Sequence, residues 1–122
     1  MMVLDTNIVI LYLKGDVKIT EWIDQQRSRG QMFAISTLSI VELLGFAQLG
    51  PKEEYVIERW LKTILLVDID LSVGREAARV RRGYRMTTSD SIMVATAKLL
   101  GVPLVTRDKD FKKIRDVKIM LP

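Results

Sequence analysis

Apolar segments of two kinds alternate along the chain. Short continuous runs are typical of strands buried in a sheet, whereas apolar residues that recur every three or four positions are typical of amphipathic helices. The pattern predicts strands at 2–4, 32–35, 64–69, 103–106 and 117–121. It predicts helices at 8–13, 19–30, 40–46, 52–62, 71–85 and 87–100, with a turn or short helix at 107–113.

This alternation predicts a three-layer α/β/α domain with a mostly parallel sheet of four to five strands. The segment 64–69 is apolar almost throughout, which predicts a strand covered on both faces. No linker, repeat or low-complexity segment interrupts the 122 residues, so we predict a single domain over residues 1–122. In open parallel sheets the ligand site lies beyond the carboxyl ends of the strands.

Two residue types are absent, because the chain contains neither Cys nor His. Disulfides, Cys or His zinc ligands, a Cys nucleophile and an imidazole base are therefore excluded. No stretch approaches the roughly 20 apolar residues that span a bilayer, and we expect no membrane association and a cytoplasmic location. The formal net charge of +4 favours a polyanionic partner.

Acidic residues stand where predicted strands end or where apolar helix segments are interrupted. Asp5 follows the first strand, Asp108 and Asp110 follow the fourth, Glu42 lies within an apolar helix, and Asp90 opens another. Each one alone could be a helix cap, a turn residue or a solvent-facing residue. If they converge, their mutual repulsion requires cations, and hard divalent cations prefer such oxygen ligands.

Three segments carry a resemblance to a known family. They are V-L-D-T-N-I, S-I-V-E-L-L and S-D-S-I-M-V-A-T-A-K-L-L-G-V-P-L-V-T-R-D-K-D-F. In this order they resemble the PIN-domain family, particularly the nuclease toxins of VapBC-type toxin–antitoxin modules, over essentially the whole chain. The resemblance implies a ribonuclease that hydrolyses RNA phosphodiesters with one or two Mg²⁺ or Mn²⁺ ions. It also implies a protein antitoxin and a homodimer.

The resemblance assigns the site residue by residue. It gives catalytic and metal-binding roles to one acidic residue in each segment, namely Asp5, Glu42 and Asp90. The fourth acidic position lies in the V-T-x-D-x-D-F turn, where Asp108 is favoured and Asp110 remains an alternative metal ligand. Asn7 and Thr106 match polar positions that support the site by orienting carboxylates or a metal-bound water.

Basic and aromatic residues suggest surfaces for partners. Cations that could contact RNA phosphates are Arg79, Arg82, Arg85, Arg107 and Lys109. Four aromatic residues are predicted to pack in the core: Trp22, Phe46, Tyr55 and Trp60. Any of them that is exposed would mark a homodimer surface or a groove for an antitoxin helix or strand.

Other functions fit parts of the same pattern. A non-catalytic PIN-like module that binds nucleic acid or acts as a scaffold would gain from losing its acidic residues, and this chain retains them. A phosphohydrolase with a nucleophilic Asp5 resembles haloacid-dehalogenase-like enzymes, but those need a second Asp where this chain has Asn7. A DNA substrate is disfavoured by the family resemblance only.

Overall fold

The computed structural model describes all 122 residues, with a five-stranded sheet between two layers of helices. The strands are β1 (Met2–Leu4), β2 (Phe33–Ser36), β3 (Leu65–Val67), β4 (Leu104–Val105) and β5 (Ile119–Met120). The helices are α1 (Thr6–Leu13), α2 (Val17–Ser28), α3 (Leu38–Leu44), α4 (Pro51–Leu61), α5 (Leu71–Tyr84) and α6 (Thr88–Leu100), followed by a 3₁₀ helix at Lys109–Lys113. None of these helices combines the length and apolar character that crossing a membrane requires.

All strands of the sheet are parallel, in the order β3-β2-β1-β4-β5. The central strand β1 pairs through Val3 with Ala34 of β2 and with Leu104 of β4. The carboxyl ends of parallel strands meet at one edge of the sheet, so the residues that follow β1 and β4 lie side by side. The predicted three-layer α/β/α fold class is confirmed.

Alternate residues of β1 pack into opposite layers, because successive side chains of a strand point to opposite faces. Leu4 belongs to a buried cluster on one face that includes Ile8, Ile19, Leu43, Ile57 and Trp60. Val3 belongs to a cluster on the other face that includes Leu104, Val80, Met93, Val94 and Phe111. Burying each large apolar side chain stabilises the fold by roughly 1.5–3 kcal/mol. The edge that carries the candidate site is thus anchored from both faces.

Capping side chains fix where two of the helices begin. The hydroxyl of Thr87 accepts a hydrogen bond from the Asp90 backbone N–H at 3.2 Å, and Asp16 accepts one from the Ile19 N–H at 3.0 Å. Each bond satisfies a backbone N–H that has no partner within its helix. Helix α6 ends at Gly101, whose positive φ of 67° is favourable for glycine. Asp90 is thereby held in the first turn of α6.

The outer strand β3 differs from the prediction. The sequence predicted a strand at 64–69 covered on both faces, but β3 spans three residues and pairs with β2 alone. Leu65 and Leu66 are 44% and 40% exposed. That prediction was wrong because an apolar run does not reveal whether its strand lies at the centre or the edge of a sheet.

The aromatic residues divide into two groups. Trp60 is buried and Trp22 is partly buried, as predicted. Phe46 and Tyr55 are 58% and 61% exposed, so the prediction that they pack in the core was wrong. Helix α3 ends at Leu44, with Gly45 as its C-cap, and Phe46 therefore lies outside the helix that was predicted to bury it.

Candidate functional site

Five acidic side chains approach one another at the carboxyl edge of the sheet. Asp5 follows β1, Glu42 lies in α3, Asp90 lies in α6, and Asp108 and Asp110 follow β4. Asp5 is repelled by Asp90 and Glu42, and Asp90 is repelled by Asp108, Glu42 and Asp110. The structure therefore brings together acidic residues from all three segments that carry the family resemblance.

Asp5 is the most enclosed of these residues, with 7% of its surface exposed. Its burial raises the pKa of the carboxyl group, and repulsion from Asp90 and Glu42 raises it further. A hydrogen bond from the Thr106 hydroxyl to Asp5 Oδ2, at 2.8 Å, opposes that rise. The ionised form of Asp5 thus lacks sufficient compensation within the chain.

Asp90 is partly buried at the start of α6. Burial is the largest cause that raises its pKa, and repulsion from Asp108, Glu42 and Asp110 adds to it, while a hydrogen bond with Thr87 opposes it. Asp108 exerts a stronger repulsion on Asp90 than Asp110 does. Of the two acidic residues in the turn, Asp108 is electrostatically the closer partner of Asp90.

Thr106 links the turn after β4 to the end of β1. Its hydroxyl donates to Asp5 Oδ2 and accepts a hydrogen bond from the backbone N–H of Asp108 at 3.0 Å. The Asp110 N–H in turn donates to Asp108 Oδ1 at 2.9 Å. The structure places Thr106 where the sequence predicted a supporting residue, fully buried against Asp5.

Thr6 and Ser39 form a second support that the sequence reasoning missed. The Thr6 hydroxyl donates to Glu42 Oε1 at 2.7 Å and lies 2.8 Å from the Ser39 hydroxyl. A hydroxyl has one hydrogen, so Ser39 must donate to Thr6. Their positions in the sequence gave a weak signal for this role, since Thr6 directly follows Asp5 and Ser39 precedes Glu42 by one helical turn. Asn7, which was predicted to support the site, is exposed and makes no side-chain hydrogen bond.

The predicted RNA-contacting cations do not neutralise this edge. None of the five acidic residues forms a salt bridge. Arg79 pairs with Glu76 at 2.8 Å, and Arg107 lies 3.8 Å from Asp16. The remaining three candidates, Arg82, Arg85 and Lys109, are exposed. No basic side chain of the protein therefore compensates the negative charge of these five carboxylates by direct pairing.

The donor chemistry of the edge fits a hard divalent cation. Carboxylate oxygens are the ligands that Mg²⁺ and Mn²⁺ prefer, and a cation would relieve the repulsion that raises the pKa values of Asp5 and Asp90. No three acidic side chains lie close enough together to hold one ion at once. The fit to a cation is therefore one of donor chemistry and position in the fold, without a complete coordination shell.

An apolar groove of about 560 Å³ lies between α1, α3 and α4. Its lining includes Ile10, Leu13, Leu43, Phe46, Leu49 and Val56. Lys14, Lys52 and Glu53 lie among the polar residues of the same groove. The exposed ring of Phe46 thus belongs to an apolar surface groove.

The parallel sheet and its acidic edge define a class of small three-layer α/β proteins whose site consists of carboxylates and hydroxyls. Within that class, residues 2–117 match the PIN domain family. The chain belongs to this family.

Similar proteins have the same fold over almost the whole chain. Ribonuclease VapC10 of Mycobacterium tuberculosis is 27% identical over 111 residues, which cover 87% of this chain and 81% of that protein. In the crystal structure of VapBC2 from Rickettsia felis bound to promoter DNA, one chain superposes with a TM-score of 0.85 at 18% identity, over 99% of this chain and 98% of that one. A toxin–antitoxin complex from Klebsiella pneumoniae gives a TM-score of 0.79 at 26% identity, over 96% and 95%.

Proposed function

We propose that this protein is a metal-dependent ribonuclease that hydrolyses RNA phosphodiester bonds, and that it is the toxin of a VapBC-type module. The observation that carries the proposal is the approach of Asp5, Glu42 and Asp90, from three distant segments, at one sheet edge without any salt bridge. The similarity to ribonuclease VapC10 supports RNA as the substrate. An RNA substrate is also consistent with a cytoplasmic location.

The proposed ligands of Mg²⁺ or Mn²⁺ are Asp5, Glu42, Asp90 and Asp108, with Asp110 as the alternative to Asp108. When bound, such a cation lowers the pKa of a water molecule and offsets charge on the phosphate. The stronger repulsion between Asp108 and Asp90, and the bond from the Asp108 backbone to Thr106, support Asp108.

The hydroxyl groups orient the carboxylates for this role. Thr106 donates to Oδ2 of Asp5 and Thr6 donates to Oε1 of Glu42, and no side chain donates to the second oxygen of either carboxylate. Hydrogen bonds of this kind lock the rotamers of ligating side chains. In the absence of His, no imidazole is present to accept a proton from water, so carboxylates must position the attacking water.

Exposed cations on two sides of the edge provide the proposed RNA-binding surface. Arg82 and Arg85 lie at the end of α5, and two residues separate Arg85 from the start of α6, which carries Asp90. Lys109 lies in the turn that also holds Asp108. Arg79, by contrast, is engaged by Glu76, and we expect it to contribute less. Cations placed here attract the RNA backbone toward an otherwise acidic centre.

The test is incubation of the purified protein with single-stranded RNA, structured RNA and DNA, in Mg²⁺, Mn²⁺ or EDTA. We expect cleavage of RNA with either metal and none in EDTA. Asp5→Asn should abolish cleavage, whereas the matched control Asp24→Asn, which removes an exposed charge on α2, should not. Absence of cleavage under every condition would favour the non-catalytic nucleic-acid-binding or scaffolding module.

We also propose that the apolar groove binds a segment of a protein antitoxin, because the similar structures from Rickettsia felis and Klebsiella pneumoniae are toxin–antitoxin complexes. A charged residue in the groove should prevent that binding. We expect Phe46→Glu to abolish co-purification with the product of a small gene directly upstream. The control is Val41→Glu, because Val41 is 68% exposed and lies outside the groove lining. Equal binding by both variants would contradict the assignment.

The homodimer implied by the family resemblance remains a prediction. Sedimentation velocity of the free protein and of its antitoxin complex measures it directly, and a monomeric toxin in both samples would contradict it.

A further inference from the structure

Arg107 lies beside the candidate site with unused hydrogen-bond donors. It stands between Thr106, which holds Asp5, and Asp108. Its side chain is 34% exposed, and its Nε is buried without a hydrogen-bond partner. A guanidinium group carries five N–H donors, and none of those of Arg107 makes a hydrogen bond. The backbone of Arg107 therefore lies next to the acidic edge, and the Nη donors of its partly exposed side chain are unused and open to an anionic ligand.

The anion that faces Arg107 is Asp16, at the start of α2. Arg107 Nη2 lies 3.8 Å from Asp16 Oδ1, which is beyond hydrogen-bonding distance. The same Oδ1 already accepts a hydrogen bond from the Ile19 N–H at 3.0 Å as the cap of α2. The capping bond holds Asp16 in place, so it attracts the guanidinium by charge without satisfying its donors.

We propose that Asp16 attracts the Arg107 guanidinium in the free protein, and that Arg107 leaves Asp16 and binds an RNA phosphate when the substrate binds. This inference rests on the proposed ribonuclease function. A phosphodiester offers two unesterified oxygens that a guanidinium binds bidentately, whereas Asp16 faces Arg107 at 3.8 Å through Oδ1, the oxygen that also caps α2. Arg107 also brings positive charge to a phosphate that must approach five carboxylates. The Asp16 carboxylate therefore competes with the RNA phosphate for the Arg107 guanidinium.

The chain allows this competition to be tested without disturbing the fold. Asp16→Asn removes the charge and keeps the cap, since Asn and Asp cap helices about equally well. Arg107→Gln removes the cation. The matched control is Arg29→Gln, which makes the same charge change at an exposed position at the opposite end of α2.

The experiment measures binding of a fluorescent single-stranded RNA by anisotropy in EDTA, which prevents metal-dependent cleavage, over a range of KCl concentrations. We expect Arg107→Gln to weaken binding about tenfold, as loss of a charge-assisted hydrogen bond does. The slope of log K against log salt should fall in magnitude by about 0.7, which corresponds to one phosphate contact. Asp16→Asn should tighten binding about two- to fivefold, as loss of a weak competing ion pair does. Arg29→Gln should leave the slope unchanged.

The double variant Asp16→Asn with Arg107→Gln isolates the coupling between the two residues. If Asp16 competes through Arg107, the double variant binds RNA as weakly as Arg107→Gln alone. The inference is overturned if Asp16→Asn fails to tighten binding, if it tightens binding equally without Arg107, or if Arg107→Gln binds like the wild type. Failure of the proposed ribonuclease function is a separate outcome, in which the wild-type protein cleaves no RNA in Mg²⁺ or Mn²⁺.

Discussion

Two groups of carboxylates in this protein have opposite electrostatic surroundings. At the sheet edge, burial and like charges raise the pKa of Asp5, and no cation of the chain pairs with it. On α5, Glu76 is also 7% exposed, but hydrogen bonds from Lys98 and Arg79 outweigh the effect of burial on its carboxyl group and lower its pKa. Lys98 also bonds Asp116 at 3.2 Å.

The difference separates an acidic residue that serves the fold from one that serves a ligand. Glu76 finds its counter-charges within the chain, and its pairing with Lys98 fastens α5 to α6. Asp5 has no cation as a partner, and its hydrogen bonds with the Thr106 hydroxyl and the Thr6 backbone do not offset burial and repulsion, so its ionised form reduces stability unless a cation from outside the chain binds. A buried carboxylate therefore indicates function when its charge is left uncompensated.

The largest expected effect is that of Asp5→Asn. We expect activity on RNA to fall at least about a hundredfold, because a ligand is lost, and the amide cannot replace its charge. The Tm in EDTA should be equal to or above that of the wild type, because a buried, repelled charge has been removed. Cleavage assays and thermal unfolding of the same preparation measure both quantities.

A clear fall in the Tm of Asp5→Asn would break the comparison, because it would mean that Asp5 stabilises the fold as Glu76 does. Asp24→Asn serves again as the control and should change neither quantity.

The next effect is that of Thr106→Val, which keeps the shape of a fully buried side chain but removes its hydroxyl. Asp5 Oδ2 and the Asp108 N–H lose their partner, so we expect activity to fall about tenfold through misplaced carboxylates. Thr106→Ser keeps the hydroxyl and should retain most of the activity. Equal activity of the Val and Ser variants would show that Thr106 contributes only packing.

Glu76→Gln tests whether the compensated carboxylate of Glu76 serves the stability of the fold. Lys98 and Arg79 lose their counter-charge, but their side chains are 37% and 63% exposed and water screens them. We therefore expect a loss of about 1–2 kcal/mol in the free energy of unfolding, less than for a fully buried pair. Urea denaturation measures it, with the exposed Glu58→Gln as the control. Cleavage per folded molecule should be unchanged, and a large fall would assign Glu76 to the site.

Much of the fold could be predicted from the sequence, because strong hydrophobic periodicity and capping residues determine each element locally. Thr87 began α6 and Gly101 ended it where the sequence predicted. The exposed edge position of β3 could not be predicted, since strand order depends on long-range pairing that the apolar run Ile64–Ile69 does not encode. The exposure of Phe46 followed from the end of α3 at Leu44, before Gly45, a stop signal that the apolar pattern through Phe46 obscured.

Some residues of the candidate site could be predicted from the sequence and others could not. The acidic residues could be predicted because each stands in a segment that resembles a family motif. The positions of Thr6 and Ser39 gave only a weak signal, because the hydrogen bonds that join Thr6 to Glu42 and Ser39 form between α1 and α3 on folding. Asn7 resembled a supporting residue by sequence position, yet its side chain faces solvent and makes no bond. The Arg107–Asp16 contact likewise joins residues 91 positions apart and has no local signature.

The smallest expected effect is a pH dependence of opposite sign in the two groups, measured as Tm in EDTA from pH 7 down to pH 3. Folding raises the pKa of Asp5 above its ordinary 3.8, so its destabilising charge is fully present at neutral pH and disappears as the pH falls through the folded value. Any advantage of Asp5→Asn over the wild type should therefore shrink on acidification. Folding lowers the pKa of Glu76 below its ordinary 4.5, so its stabilisation is present above 4.5 and is lost as the pH falls through the folded value.

Both variants should thus converge on the wild type at low pH, Asp5→Asn from above and Glu76→Gln from below. The other groups of the chain titrate equally in all three proteins, so each difference in Tm reports only the substituted carboxylate. Divalent cations should reverse the difference in Tm between Asp5→Asn and the wild type, since a bound ion stabilises the wild type through Asp5. They should leave the difference between Glu76→Gln and the wild type unchanged, because Glu76 is not a ligand. If Mg²⁺ or Mn²⁺ raised the Tm of Asp5→Asn as much as that of the wild type, Asp5 would not be a ligand, and its uncompensated charge would need another explanation.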